Sequence, residues 1–553
     1  MKPLLLAALL VAGCAQLSLA PPLTSPKSGG AAWFEASSRN FIVRTDLGAS
    51  HARELCDELE KIVGAFEDLI AAPDVTPHDR ILVVDFARKQ DYVEIAKQHG
   101  LPNSAGFFAH YSHDIEPLPA IVFSGELDNG TRTILQHELT HRFMALQLHD
   151  PPIWLTEGLA EYDSTMLLRN DLAWFGIMPL HYGQLFTPNG HLAVGRGATL
   201  RWLTIDDLPT VKSLLVATQN TFLDRVQDDP KPKHPLSYPG AWLLVHMLKS
   251  PQLPYRVRFD RFLQLLSSGV NRHAAFSQAF AGVTIEELEQ QYRKYATQMT
   301  VTATRDGDRW LTLVRTAYQP RAAAKVSDER PLSDARVHLL FLQLRSWAAP
   351  YREQARRELL AAQYSAPADP EVTYWNALLA LADGKNLEDA ERELRQAMQG
   401  ELREDSRYRF ALYNLREGIL LHGRPQEQVT PEEWATLDDD AGELAKVAHT
   451  ATEINNVGWF YALRQQPEVG LPFAMRAVEM EPDCAPCLDT LARLYAQRGQ
   501  LAAAVQAQER AYSLVPEWAN PSKYKQKLDA YRQALAKSAP SPDEPRASPT
   551  AAP

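Results

Sequence analysis

Hydrophobic and polar positions follow two rhythms along this chain, and the change of rhythm divides it near residue 300. From residue 31 onward, short apolar runs of strand length are interleaved with stretches of helical period. Asn40-Phe41-Ile42-Val43-Arg44-Thr45 reads as a strand, and Ile81-Leu82-Val83-Val84-Asp85-Phe86 as a central one, because it is almost continuously apolar. Between them, Ala52, Leu55, Leu59, Ile62, Val63, Phe66 and Ile70 recur at helical spacing within Ala49 to Ala71. Asp91 to Gly100 reads as a short helix, and Pro119 to Phe123 as a further strand. That strand is either a sheet edge on which a peptide backbone would pair or plain core sheet. A helix follows over 131–148, is broken by Pro151-Pro152, and gives way to a second helix from about Ile153. Residues 170–235 are rich in loops, and helices at 238–248, 256–267 and 284–297 close this α+β region.

Beyond residue 305 the helical period stands alone, in a composition of Ala, Leu, Arg, Glu and Gln. Residues 467–482 align with 501–516 at an offset of 34, and Tyr461 with Tyr495, Ala477 with Ala511 and Pro482 with Pro516 share that offset. Thirty-four residues is the tetratricopeptide period, a helix–turn–helix unit that must stack on neighbours to bury its apolar face. Residues 369–399 read as a more diverged unit. The expected architecture is an α+β domain over 31–300, an all-α tetratricopeptide-like array over 301–537, and a Pro, Ala and Ser-rich disordered tail over 538–553.

The candidate chemistry sits in the helix pair at 131–163. His137 and His141 are four apart, so both imidazoles project from one helical face, and Glu138 lies between them. Glu157 follows in Trp154-Leu155-Thr156-Glu157-Gly158-Leu159-Ala160-Glu161. Two His and one Glu are the ligand set of a catalytic zinc, with a fourth position left for water. Glu138 is then placed as the general base that becomes a general acid.

H-E-x-x-H followed by W-L-x-E-G-x-A resembles the gluzincin zinc metallopeptidases, specifically the bacterial peptidase MA-like group, over about residues 33–300. The resemblance implies a zincin-like α+β fold holding one Zn2+ per chain, with His137, His141 and Glu157 as ligands and Glu138 catalytic. It also implies Glu161 holding a His ring in place behind the metal, and a Tyr or His stabilising the oxyanion. Tyr238, in Ser237-Tyr238-Pro239-Gly240, is the best match for the last role; His181, Tyr182 and His234 are weaker ones. His110, His113 and His149 have no spacing that ties them to the metal. No G-A-M-E-N-like stretch, which grips a free substrate amine, precedes the motif, so the resemblance implies an endopeptidase.

The amino terminus adds a location. Met1-Lys2, the apolar stretch to Ala12 and Val11-Ala12-Gly13-Cys14 resemble a bacterial lipoprotein signal, with Cys14 the lipidated residue and 15–30 a flexible tether. An outer-membrane anchor facing the periplasm is the expectation; a secretory signal cleaved after Ala20 is the alternative. Net charge is −11 and no basic tract stands out, so a nucleic-acid partner is unsupported and none is expected. The expected partners are a protein or peptide substrate, a protein held by the repeats, and the membrane through the lipid alone. Cys56 reads as a buried small hydrophobe. Cys484 and Cys487 form C-x-x-C, consistent with a local disulfide, with neither the βαβ frame of a thioredoxin-like site nor enough ligands for structural zinc. The rival reading of the whole chain is a non-catalytic repeat lipoprotein with a residual metal site.

Overall fold

The computed structural model describes residues 23–66, 80–101, 106–109, 120–125, 129–148, 151–170, 172–179, 182, 185–186, 190–194, 201–217, 219–222, 236–302, 316–318, 323–346, 351–421, 424–482, 484–515 and 521–538. In chain order the N-terminal elements are β1 (Phe34–Ser37), β2 (Phe41–Thr45), α1 (Ala49–Phe66), β3 (Ile81–Phe86), α2 (Lys89–Gln98), β4 (Gly106–Ala109), β5 (Ala120–Ser124), α3 (Asn129–Gln147) and α4 (Ile153–Asp163). Short strands β6 (Leu167–Arg169), β7 (Leu172–Phe175), β8 (Leu192–Val194) and β9 (Arg201–Leu203) precede α5 (Val211–Leu215) and α6 (Gln219–Phe222). Then come α7 (Ser237–Leu248), α8 (Arg256–Ser267), α9 (Arg272–Ala279), α10 (Ile285–Thr302), β10 (Thr316–Tyr318), β11 (Asp328–Pro331) and α11 (Asp334–Leu344).

The main sheet has the order β11-β1-β2-β3-β5-β4. Strands β2, β3 and β5 run parallel, and the outer pairings are antiparallel. Every residue of β3 is buried, because both faces of the sheet are covered. Ile81 and Val83 join Phe41, Val43 and Phe123 under α1 and α3. Leu82, Val84 and Phe86 join Trp33 and Tyr92 under α2 and α11, with Val337, Leu340, Phe341 and Leu344 packed on them. The strand at 120–124 is therefore interior, bonded to β3 on one side and β4 on the other; the outer strand is Gly106–Ala109. Of the two readings of this strand, plain core sheet is the one found.

Two expected boundaries move. Residues 23–30 are not a free tether: Leu23 is buried in the sheet core with its N–H on Asp91 Oδ1 at 2.7 Å, and the Lys27 N–H donates to Asp334 Oδ1 at 2.8 Å. Residue 300 does not end the sheet either. β11 pairs antiparallel with β1, and α11 roofs one sheet face, so residues 328–344 belong to the first structural unit. Residues 1–22 and 539–553, including Cys14, lie outside the described residues.

The remaining helices are α12 (Arg352–Ser365), α13 (Pro370–Asp383), α14 (Leu387–Ala397), α15 (Ser406–Leu421), α16 (Pro431–Val447), α17 (Ala451–Leu463), α18 (Pro467–Met480), α19 (Ala485–Gln497), α20 (Leu501–Leu514) and α21 (Ser522–Ser538). Consecutive helices pack on one another, and the 34-residue interval is physical: α17 and α19 start 34 apart, as do α18 and α20. The repeated small residues are contact points. Ala477 and Ala511 are fully buried, and at Gly458 an added Cβ would meet Ala474 N at 3.1 Å. The molecule is thus a mixed-sheet unit followed by helical pairs. Among the described residues no helix is long and apolar enough to cross a membrane.

Candidate metal centre

Helix α3 buries Leu135, Leu139 and Phe143 in one row and Gln136, Thr140 and Met144 in the next. The adjoining row holds His137 and His141, half-buried, with ring centroids 4.8 Å apart. Helix α4 begins straight after Pro152, whose fixed φ suits a helix entry, and packs back on α3. Its Trp154 is buried and stacks on Phe262 at 6.1 Å, fixing the rotation that turns Glu157 toward the histidines.

Three atoms then converge. His137 Nε2 and His141 Nε2 lie 3.1 Å apart, and Glu157 Oε2 lies 3.6 Å from the first and 3.5 Å from the second. At those lengths the carboxylate oxygen makes no hydrogen bond worth the name. It is buried and has no hydrogen-bond partner among the described residues. A tetrahedral ion with bonds of about 2.0–2.1 Å would separate its ligands by about 3.3 Å, close to all three distances. The three residues form the metal-competent cluster found among the described residues. Burial pushes the Glu157 carboxyl up, but the two imidazoles outweigh it and hold it down at about 2, so the oxygen is anionic. Burial pushes the His137 imidazole down, and Glu157, Glu161 and Glu138 more than reverse that.

Around this centre, Glu161 Oε1 stands 3.4 Å from His137 Nδ1, the ring nitrogen facing away from Glu157. A carboxylate there selects the tautomer that leaves Nε2 free to bind an ion. Glu138 is half-buried, and its carboxylate acts on the His137 imidazole. Tyr238 occupies the first turn of α7, half-buried, with its ring edge-on to Phe222 at 5.3 Å. Tyr182, the weaker candidate by sequence, also lies close to these carboxylates. It is 3% exposed, and burial together with the carboxylates of Glu161 and Glu157 pushes its hydroxyl well above the usual phenol range. Nothing in the loop-rich stretch around it signals that position. His110, His113, His149, His181 and His234 lie outside the described residues.

Gly158 has a steric reason. A Cβ there would sit 2.7 Å from Ala241 O and 2.7 Å from Val245 Cγ2, so α4 and α7 touch backbone to backbone beside Glu157. Gly158→Ala gains about 1 kcal/mol of helix propensity but must push the helices apart, at about 1–3 kcal/mol. We expect a net lower urea midpoint and weaker zinc binding in titration; an unchanged or higher midpoint would show that α7 yields freely.

Behind α4, His246 of α7 is 1% exposed, its Nε2–H donating to Gly176 O at 2.9 Å and its Nδ1 accepting from Tyr295 at 2.8 Å. Burial pushes this imidazole down to about 4 from 6.5. Its neutral form therefore supports the fold above pH about 6.5, and that support is lost as pH falls from 6.5 towards 4, where the unfolded chain binds a proton that the native chain refuses. From pH 7.5 to 5 the loss is about 2 kcal/mol. His246→Phe removes the effect, so the stability gap between wild type and variant should shrink by about that amount over this range. Urea unfolding at both pH values measures it, and a constant gap would refute the assignment.

Compared with models of protein families and with curated protein sequences, the chain matches none.

Proposed function

We propose that this chain is a zinc-dependent metalloendopeptidase of gluzincin type. We further propose that it is lipid-anchored at Cys14 in a bacterial envelope, and that its helical repeats hold a protein partner or substrate. The observation that carries the reading is the buried, anionic Glu157 Oε2, which lacks a hydrogen-bond partner among the described residues and faces two imidazole nitrogens at 3.5 and 3.6 Å. A buried anionic oxygen without a hydrogen bond is costly, and a divalent cation between it and the two imidazoles would remove that cost.

His137, His141 and Glu157 would hold the ion. When bound, zinc supplies Lewis acidity that activates a water and polarises the scissile carbonyl. The chain's own residues do the rest. Glu138, one residue along α3 from a ligand, takes the proton of the attacking water and delivers it to the departing amine nitrogen. Glu161 keeps the His137 ring in one tautomer and orientation. Tyr238 is assigned a hydrogen bond to the oxygen on which negative charge develops, and its place on rigid α7 spares reorganisation during the reaction. Burial of Leu135, Leu139, Phe143 and Trp154 beneath the ligands fixes their spacing.

Metal analysis of the purified full-length chain tests the reading. Wild type should carry one zinc per chain, and Glu157→Ala should weaken retention by at least about a hundredfold. Equal zinc content in both proteins would reject Glu157 as a ligand, and with it the gluzincin assignment.

A further inference from the structure

A cavity of about 930 Å³ lies between the mixed sheet and the helical pairs, and none of its described lining residues belongs to the metal centre. The register of the sheet explains its first wall. α11 packs on Leu82, Val84 and Phe86 of β3, and the cross-strand partners of the first two are Ile42 and Arg44 of β2. These share one sheet face with Glu35 and Ser37 of β1 and with Asp328 and Arg330 of β11. Beyond the reach of α11, that face turns polar and opens into the cavity. Glu35 stands between Arg44 and Arg330, accepting from them at 2.8 and 2.9 Å. Two guanidiniums thus share one carboxylate, and Arg80 joins them on this wall against Asp328. The sheet side carries an excess of positive charge.

The opposite wall is negative. Glu401, Glu404 and Asp405 on the approach to α15, with Glu453 in the first turn of α17, stand against Arg407 and His449. Glu371 and Arg336, 3.4 Å apart, cancel each other between the walls. Leu339, Tyr374, Trp375 and Phe410 add apolar lining. A separate observation points to a ligand. Ser406 lines the cavity and is 4% exposed, and its Oγ is buried with no hydrogen-bond partner among the described residues. A buried hydroxyl left this way calls for a partner that the chain itself does not supply. Cavities of this size at the junction of two structural units are where small ligands bind. Walls of opposite sign select a ligand with an anionic and a cationic end, and Ser406 asks for hydrogen-bonding groups between them. A peptide with free termini has all three, since its backbone offers an N–H and a C=O at each residue.

We propose that this junction cavity binds a short peptide with both termini free. Its carboxylate lies toward Arg44, Arg80 and Arg330, and its ammonium toward Glu401, Glu404 and Asp405. Ser406 bonds the peptide backbone, and Tyr374 and Trp375 receive an apolar side chain. The site is independent of the zinc reading.

Calorimetric titration of the purified full-length chain with penta-alanine tests the proposal, and Glu138→Gln run in parallel separates binding from any hydrolysis. Saturable binding is expected in both. Amidating the C-terminus of the peptide or acetylating its N-terminus should each weaken binding by about tenfold or more, the worth of a hydrogen bond to a charged group. Free alanine, whose two charges cannot serve both walls, should bind more weakly by at least as much. Arg80→Gln should narrow the amidation ratio alone, and Glu404→Gln the acetylation ratio alone, each by about threefold. Both side chains are exposed, so these variants should fold. Ser406→Ala should weaken binding by about fivefold. Its melting temperature should not fall, because the hydroxyl has no partner to lose within the chain. No saturable binding, equal affinity for a doubly blocked peptide, or equal affinity for free alanine would overturn the peptide site. An amidation ratio that responds to Glu404→Gln instead of Arg80→Gln would overturn the assigned polarity. Unchanged affinity with a lower melting temperature in Ser406→Ala would return that hydroxyl to a structural role.

Discussion

Glu138→Gln should keep one zinc per chain and slow peptide-bond hydrolysis by about 10²–10⁴-fold, the range ascribed to a positioned general acid–base. The amide preserves size and one oxygen, so the α3 helix and the convergence of His137, His141 and Glu157 should be undisturbed. What it removes is the capacity to accept a proton. Glu138 is half-buried, and the change removes its charge, which acts on His137, while keeping its size. A loss of rate at full metal content therefore isolates proton transfer from metal binding. The assay is a digest of an unstructured protein with zinc quantified in the same sample. Undiminished hydrolysis, or an equal absence of hydrolysis in both proteins, would transfer the function to the helical repeats.

The convergence of His137, His141 and Glu157 was readable because its geometry is local. Spacing of four on one helix places His137 above His141, and a proline-broken hairpin returns Glu157 to them within twenty residues, so period and turn chemistry carry the information. Gly158 follows the same logic in retrospect, since only a residue lacking Cβ fits between α4 and α7. The 34-residue interval was equally legible, because stacked helical pairs repeat their contacts and so their small residues, as at Ala477 and Ala511. What depends on long closure was hidden. β11 reads Asp-Glu-Arg-Pro, every residue exposed, with no alternation to announce a strand, and its partner lies almost three hundred residues earlier. Asp85 looked like an interruption in an apolar strand. It is buried, and accepts from His51 Nε2 at 2.7 Å and from Gly125 N at 3.0 Å, a network supplied by two other segments. Tyr182 comes under the influence of Glu161 and Glu157 along a loop path that no periodicity describes.

Those hidden contacts set the second large effect: a chain cut after residue 302 should not fold. The metal motif, its hairpin and α10 would all remain, yet β11 and α11 would be gone. Glu35, 4% exposed, would lose Arg330 across the strand pair and keep only Arg44 at 2.8 Å, leaving a buried carboxylate half-compensated. Trp33, Val84 and Phe86 would lose the roof formed by Val337, Leu340, Phe341 and Leu344. Phe341 alone meets Trp33 edge-on at 5.8 Å, and Phe341→Ala in the full chain should cost about 3–5 kcal/mol. Together with Val337, Leu340 and Leu344 the loss is comparable to the about 5–15 kcal/mol that holds a typical domain folded. Circular dichroism, thermal melting and zinc titration of the 302-residue fragment make the comparison. A soluble fragment that melts cooperatively and binds zinc would show that the sheet tolerates an open face, and that the helical region is an appendage. Aggregation or a broad, zinc-insensitive melt would mean that the mixed-sheet unit is built only when the helical region begins, so neither half of this chain works as an independent module.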